Sequence, residues 1–142
     1  MYATAQGTIN RYREEIYAIT GFMAEDNGDP GQDCLDALAR ALTDAASEVD
    51  ASLRLRYRLP LENVPPVITR VTMDIAVADL PRHGAENADL IERRAADARK
   101  FLAAVAKGDT LLDCPAASPA AAGGVAYSFP ESPLAAKLKD YV

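Results

Sequence analysis

The chain holds one histidine, two cysteines and no tryptophan, and each scarcity closes a route to function. With His83 alone, no Ser-His-Asp triad, paired-histidine metal site or helix-borne zinc motif can be assembled. A single histidine beside Gly84 at an expected helix end reads as a solvated loop residue. Cys34 and Cys114 lie far apart with no neighbouring Cys or His, so they suggest neither a disulfide framework nor a zinc site and read as free thiols in a reducing compartment. Long apolar runs are missing too. The longest uncharged stretch, Cys114 to Pro130, is broken by Pro115, Pro119, Gly123 and Gly124 and cannot span a bilayer. Met1 to Gln6 lacks the basic patch and apolar run of a signal peptide. Basic residues are the minority, and a formal net charge of −6 argues against nucleic acid as an affinity partner. A negative wall does permit a duplex to slide past without sticking.

What is abundant is alanine, with 28 residues, in a chain whose 142 residues fit one domain. Alanine buries little apolar area, so the core should be thin, and it favours closely approaching helices over a sheet of β-branched residues. A subunit with so little large apolar surface gains from neighbours that complete its burial.

The pattern along the chain predicts an all-α fold, a small bundle of four to five helices with one long central helix. Thr4 suits the cap of a short helix to about Arg13, and a second short helical turn over Glu14 to Thr20 carries Ile16 and Ile19. Glu25 to Gly31 is dense in turn formers. From Asp33 to about Tyr57, Leu35, Leu38, Leu42, Ala45, Val49 and Leu53 recur at helical spacing while Asp36, Arg40, Asp44, Glu48 and Asp50 take other faces. Pro65-Pro66 suits the first turn of a helix running to Leu80, with Ile68, Val71, Ile75 and Thr72 inward and Pro81 ending it. Asn87 can cap a helix with Ile91, Ala95, Ala98, Leu102 and Val105 as its stripe, closed by Lys107 and Gly108. After Gly108 the sequence mixes Ala, Pro, Gly and Ser, with apolar periodicity returning only at Leu134, Leu138 and Tyr141. Residues 1–108 are thus expected to form the helical domain and 109–142 an extended arm, with room for a short β-hairpin around Gly123-Gly124 and a terminal helical turn. An arm with so few core residues gains stability only against a partner.

Few residues invite chemistry. The serines, including Ser47, Ser52 and Ser128, lack a glycine-flanked nucleophile elbow. The acidic loop mimics a calcium frame through Glu25, Asn27, Asp29 and Asp36, but Pro30 stands where glycine is obligatory and Asp36 is too short for bidentate reach. Asp74 lies in a mostly apolar helix. An ion pair with Arg70, or with an arginine of another helix, accounts for it better than catalysis, which requires a second group. Arg54, Arg56, Tyr57 and Arg58 read as rim or interface residues, since alternating arginines on a helix fan around the rod instead of forming a groove-facing strip. No catalytic, cofactor-binding or metal residue emerges, and no enzyme is expected.

A wider pattern is carried by Tyr2-Ala3-Thr4 with Arg11-Tyr12, by Tyr57, Leu59-Pro60-Leu61 and Val64-Pro65 followed by Asp74-Ile75-Ala76, and by Glu92-Arg93 leading to Ala98-Arg99-Lys100-Phe101-Leu102 and Ala106-Lys107-Gly108. These residues resemble the Mu-like phage head-tail adaptor family, known from the head-gene clusters of Mu-type phages and prophages. The match spans roughly residues 2 to 109, departs at Val77-Ala78-Asp79, and touches the arm through Phe129 and Leu138-Lys139-Asp140-Tyr141. The resemblance implies a structural virion protein, a connector subunit in a homo-oligomeric, twelvefold ring beneath the portal. Its implied partners are the portal protein, stopper or tail proteins, and DNA passing without sequence recognition. The implied location is the virion neck, and the host cytoplasm during assembly. Phe129, Leu134, Leu138 and Tyr141 are the expected anchors of the arm. Two alternatives stand beside it: another neck component, such as a stopper or tail-terminator subunit, and a helical regulatory module, which would need a basic recognition helix that the chain lacks.

Overall fold

A computed structural model of the chain describes residues 1–22, 28–82 and 87–115. They form four helices, α1 (Ala5–Thr20), α2 (Gln32–Leu53), α3 (Pro66–Ala78) and α4 (Ala88–Lys107), with no strand element among them. The expected hairpin and terminal turn fall outside the described residues, as do His83, Ser128, Glu25, Asn27 and all four arm anchors.

α1 is one span where two short helices were expected, and the expected junction survives as a break at Tyr12, whose φ of −125° and ψ of 26° leave the helical region. The reason is tertiary: Tyr12 is buried and its hydroxyl is claimed by α3. Thr4 caps the helix as expected, its hydroxyl accepting from Gly7 N–H at 3.1 Å. At the far end Gly21 turns left-handed at φ 67° and its N–H bonds the Tyr17 carbonyl.

α2 presents Cys34, Leu38, Ala41, Leu42, Ala45, Val49 and Leu53 as its buried stripe. It stops at Leu53, short of the expected Tyr57, and the next residues turn over its last carbonyls through Arg56 and Tyr57 N–H bonds to Leu53 O. A loop with a cis Leu59-Pro60 bond leads to α3, which begins on Pro66 at its first turn as expected. α3 buries Ile68, Val71, Thr72, Met73, Ile75, Ala76 and Val77 and packs against both α2 and α4. Thr72 is tolerated inside because its hydroxyl donates to Ile68 O at 2.8 Å. α2 and α4 run in the same direction, tied near their C-terminal ends by Arg56 and further along by Glu48 with Arg99.

Asn87 does precede α4, but as a left-handed residue at φ 60° whose side chain makes no cap bond, which corrects the expected side-chain cap. Asn tolerates this conformation better than most residues, and Asp89 supplies the negative charge of the first turn. The other end closes as expected, with Gly108 at φ 88° and its N–H on the carbonyls of Ala104 and Val105. Past that point Leu112 returns to the core, its N–H donating to the Tyr57 hydroxyl at 2.8 Å. The buried core thus reaches beyond Gly108, where the arm was expected to begin.

Gly108 carries a double constraint, since a Cβ there would sit 2.5 Å from the Arg56 Cζ in a backbone conformation that L side chains avoid. Gly108→Ala is expected to destabilise the fold by about 1–2 kcal/mol, read as a fall of several degrees in the thermal midpoint. An unchanged midpoint would show that this closure is slack.

Candidate interaction surfaces

Two places bring the sequence-predicted residues together. The first is the end of the bundle where α2 stops, α3 starts and α4 stops. Arg56 folds across the C-terminus of α4, donating from Nε to Ala106 O at 3.1 Å and from Nη2 to Lys107 O at 2.5 Å. These carbonyls lack helical partners and carry the negative end of the helix dipole, so a guanidinium is well matched to them. Lys107 had been expected to supply that cation. Tyr57, expected at the rim, is instead a core residue with 4% exposure, held there by its N–H bond to Leu53 O and by its hydroxyl, which accepts from Leu112 N–H. Arg54 and Arg58 are exposed, as a rim role requires. The chain turns after Leu53, so the arginines lie on a turn and not around a helical rod.

Sequence reasoning missed the two leucines beside them. Leu55 is 73% exposed and Leu111 is 78% exposed, each next to a residue that is fixed in place, Arg56 and Leu112. The available signal was Leu55 standing between two arginines in a stretch whose other leucines keep helical spacing. Cys34 is buried and Cys114 half-buried, both free, and burial pushes both thiols up.

The second place is a cleft of about 360 Å³ walled by α1, α3 and α4, with Arg11, Tyr12, Arg70, Asp74, Arg94 and Phe101 among its lining. The Tyr12 hydroxyl donates to Asp74 Oδ1 at 2.5 Å and accepts from Arg11 Nε at 3.1 Å. The Arg11 and Arg94 guanidiniums stand 5.5 and 5.6 Å from the Tyr12 ring centroid, within cation–π range. Arg94 is also held by Glu15 at 3.3 Å. Asp74 therefore has a tyrosine hydroxyl as partner where an ion pair with Arg70 or another arginine was expected. Among the described residues its hydrogen-bonded neighbour is a phenol that is itself stabilised in the neutral form. Burial, and then the bond to Asp74, raise the Tyr12 hydroxyl above its ordinary value, with Arg11 opposing. Tyr2 is raised likewise by burial and by its bond to Asp50. Such a pair ties α1 to α3. No group of three or more His, Cys, Asp or Glu side chains that could hold a metal occurs among the described residues. No described helix is long and apolar enough to cross a membrane.

These features define an all-α bundle with a mixed apolar and basic end face and a polar cleft. The family model for Bacteriophage Mu, Gp36 matches residues 2–129, and the chain belongs to that bacteriophage family. No curated protein matches it.

Two outcomes follow for the tyrosines. Tyr12→Phe removes a hydrogen bond to a carboxylate and is expected to cost about 1–2 kcal/mol in denaturant unfolding. Because both hydroxyls titrate higher in the folded state than the ordinary value of about 10, the unfolded chain releases its protons first. Their contribution is fully present below pH 10 and is lost as pH climbs above it. Unfolding followed from pH 8 to 11 should show that decline in the native protein and a flatter profile in a Tyr2→Phe/Tyr12→Phe variant.

Proposed function

We propose that the chain is a head-to-tail connector subunit of a tailed phage, a structural virion protein that acts by binding and not by turnover. In this reading copies assemble into a closed ring, twelvefold, beneath the portal, and the duplex passes through without being read. What carries the proposal is the end face of the bundle: Leu55 and Leu111 exposed among Arg54 and Arg58, at the end from which the chain continues toward the arm. Large apolar side chains mixed with arginine are the composition of protein interfaces, and their exposure is unfavourable unless something covers them. Membership of the Bacteriophage Mu, Gp36 family supports the phage setting. The net charge of −6 supports passage of DNA without adhesion.

The arm, expected over residues 109–142 and tied to the core at Leu112, reaches the portal above or the stopper and tail components below in this scheme. Phe129, Leu134, Leu138 and Tyr141 anchor it. Ordering such a segment costs free energy that only the docked surface offsets, so assembly proceeds in sequence.

Antibody labelling of purified particles tests the location, with label expected at the single vertex where head meets tail. Label spread over the capsid or on the tail tip, or none, overturns the reading. A second measurement concerns the anchors: Leu134→Ala/Leu138→Ala/Tyr141→Ala in the full chain should weaken capture by portal-bearing heads at least about tenfold and leave the thermal midpoint of the bundle unchanged. Equal capture would remove the arm from the mechanism.

A further inference from the structure

The polar cleft has features that its role in tying α1 to α3 does not use. Arg70 is exposed, lines it, and makes no hydrogen bond or ion pair among the described residues. Arg11 spends only its Nε on Tyr12, which leaves the two terminal nitrogens of its fork. Both arginines also line a neighbouring concavity with Gly7, Val64, Pro66 and Met73, so they form a basic ridge between two hollows. Asp74 and Asp97 share the lining and Arg94 is paired with Glu15, so the cationic groups left open to a partner are those of Arg11 and Arg70.

The complementary feature lies on α2. Asp33, Asp36 and Asp44 are exposed at spacings that put them along one side of the helix, turned away from the stripe that packs on α3 and α4. None of the three has a cationic partner among the described residues, Asp36 accepting only from the Gln32 amide at 2.7 Å. Arg40 is the one cation on that side. The two features also face differently: α2 packs on the α3 and α4 pair, and the cleft is lined from α1, α3 and α4 without any α2 residue.

We propose that the Arg11, Arg70 and Arg94 cleft of one copy receives the acidic side of α2, Asp33, Asp36 and Asp44, of a second copy. The inference rests on the reading that this chain assembles with itself, and adds which surfaces meet. Two unlike patches on different sides of one subunit make a head-to-tail contact, the kind that closes into a ring when the rotation per subunit divides a full turn. Bidentate arginine–carboxylate pairing supplies geometry as well as attraction, and charge complementarity excludes a like-on-like arrangement.

Sedimentation of the full-length chain over a range of concentrations tests the contact. The native protein should self-associate, and raising salt from low to molar strength should weaken it. Arg70→Glu and Asp44→Arg should each weaken association roughly tenfold, while Arg93→Glu, the same charge change outside the cleft, should not. Mixing the two variants should yield discrete heterodimers, because one keeps an intact α2 face and the other an intact cleft. Three results would overturn the contact: a native chain that stays monomeric throughout, a variant that associates like the native chain, or a mixture that remains monomeric. Each leaves the connector reading to be judged separately by where antibody binds on the particle.

Discussion

α3 has almost no wet side: seven of its thirteen residues are buried, and it packs against both α2 and α4. A helix this apolar cannot be left exposed, and covering it sets the placement of the longer helices on either side. The arrangement of the rest follows. α2 and α4 contribute narrow stripes in which alanine recurs, Ala41 and Ala45 on one and Ala95 and Ala98 on the other, so the backbones come close and the core remains thin. α1 is held differently. It buries Ile9, Ile16 and Ile19 completely in the shared core and adds polar ties from Tyr12 to Asp74 and Glu15 to Arg94, with Tyr2 just ahead of it bonded to Asp50.

That contrast separates the work of the two surfaces. The end face is fixed by covalent neighbours of buried groups: Arg56 spans the α4 terminus, Tyr57 and Leu112 fill the interior, and Leu55 and Leu111 are left outside because the residues next to them are anchored. The cleft owes its form to the break at Tyr12, which lets one ring reach α3 while two guanidiniums approach its ring. A straight α1 would place that side chain elsewhere on the helix. Local backbone distortion held by surrounding structure is a common companion of binding surfaces.

Much of the bundle was legible in the residues. Thr4, Pro66 and Gly108 mark boundaries through chemistry that acts over one helical turn, a hydroxyl acceptor, a missing N–H and a left-handed turn, so they needed no tertiary knowledge. The inward stripe of α4 was equally plain from spacing, as were most of those of α2 and α3, although Leu35 is only half-buried and Cys34 and Ala41 are inside instead. The surfaces were less so. Arg54, Arg56, Tyr57 and Arg58 were found as a group, but nothing in their order says that Tyr57 is inside and Arg56 lies on a helix end fifty residues away. Asn87 shows a related limit, since the same residue type caps a helix or occupies a left-handed position, and the chain leading into α4 selects between them.

By itself the sequence determined the class of fold, the approximate limits of the helices, the exclusion of histidine-dependent chemistry and the resemblance to a Mu-type family, because these depend on composition and on patterns repeating within a few residues. Only the tertiary structure decided which polar groups meet. Asp74 finds Tyr12 across 62 positions, Arg56 finds Ala106 across 50, and Tyr57 finds Leu112 across 55. The physical reason is that helix periodicity reports which side of a segment is apolar, whereas the partner of a polar side chain depends on how separate helices are rotated and offset against one another.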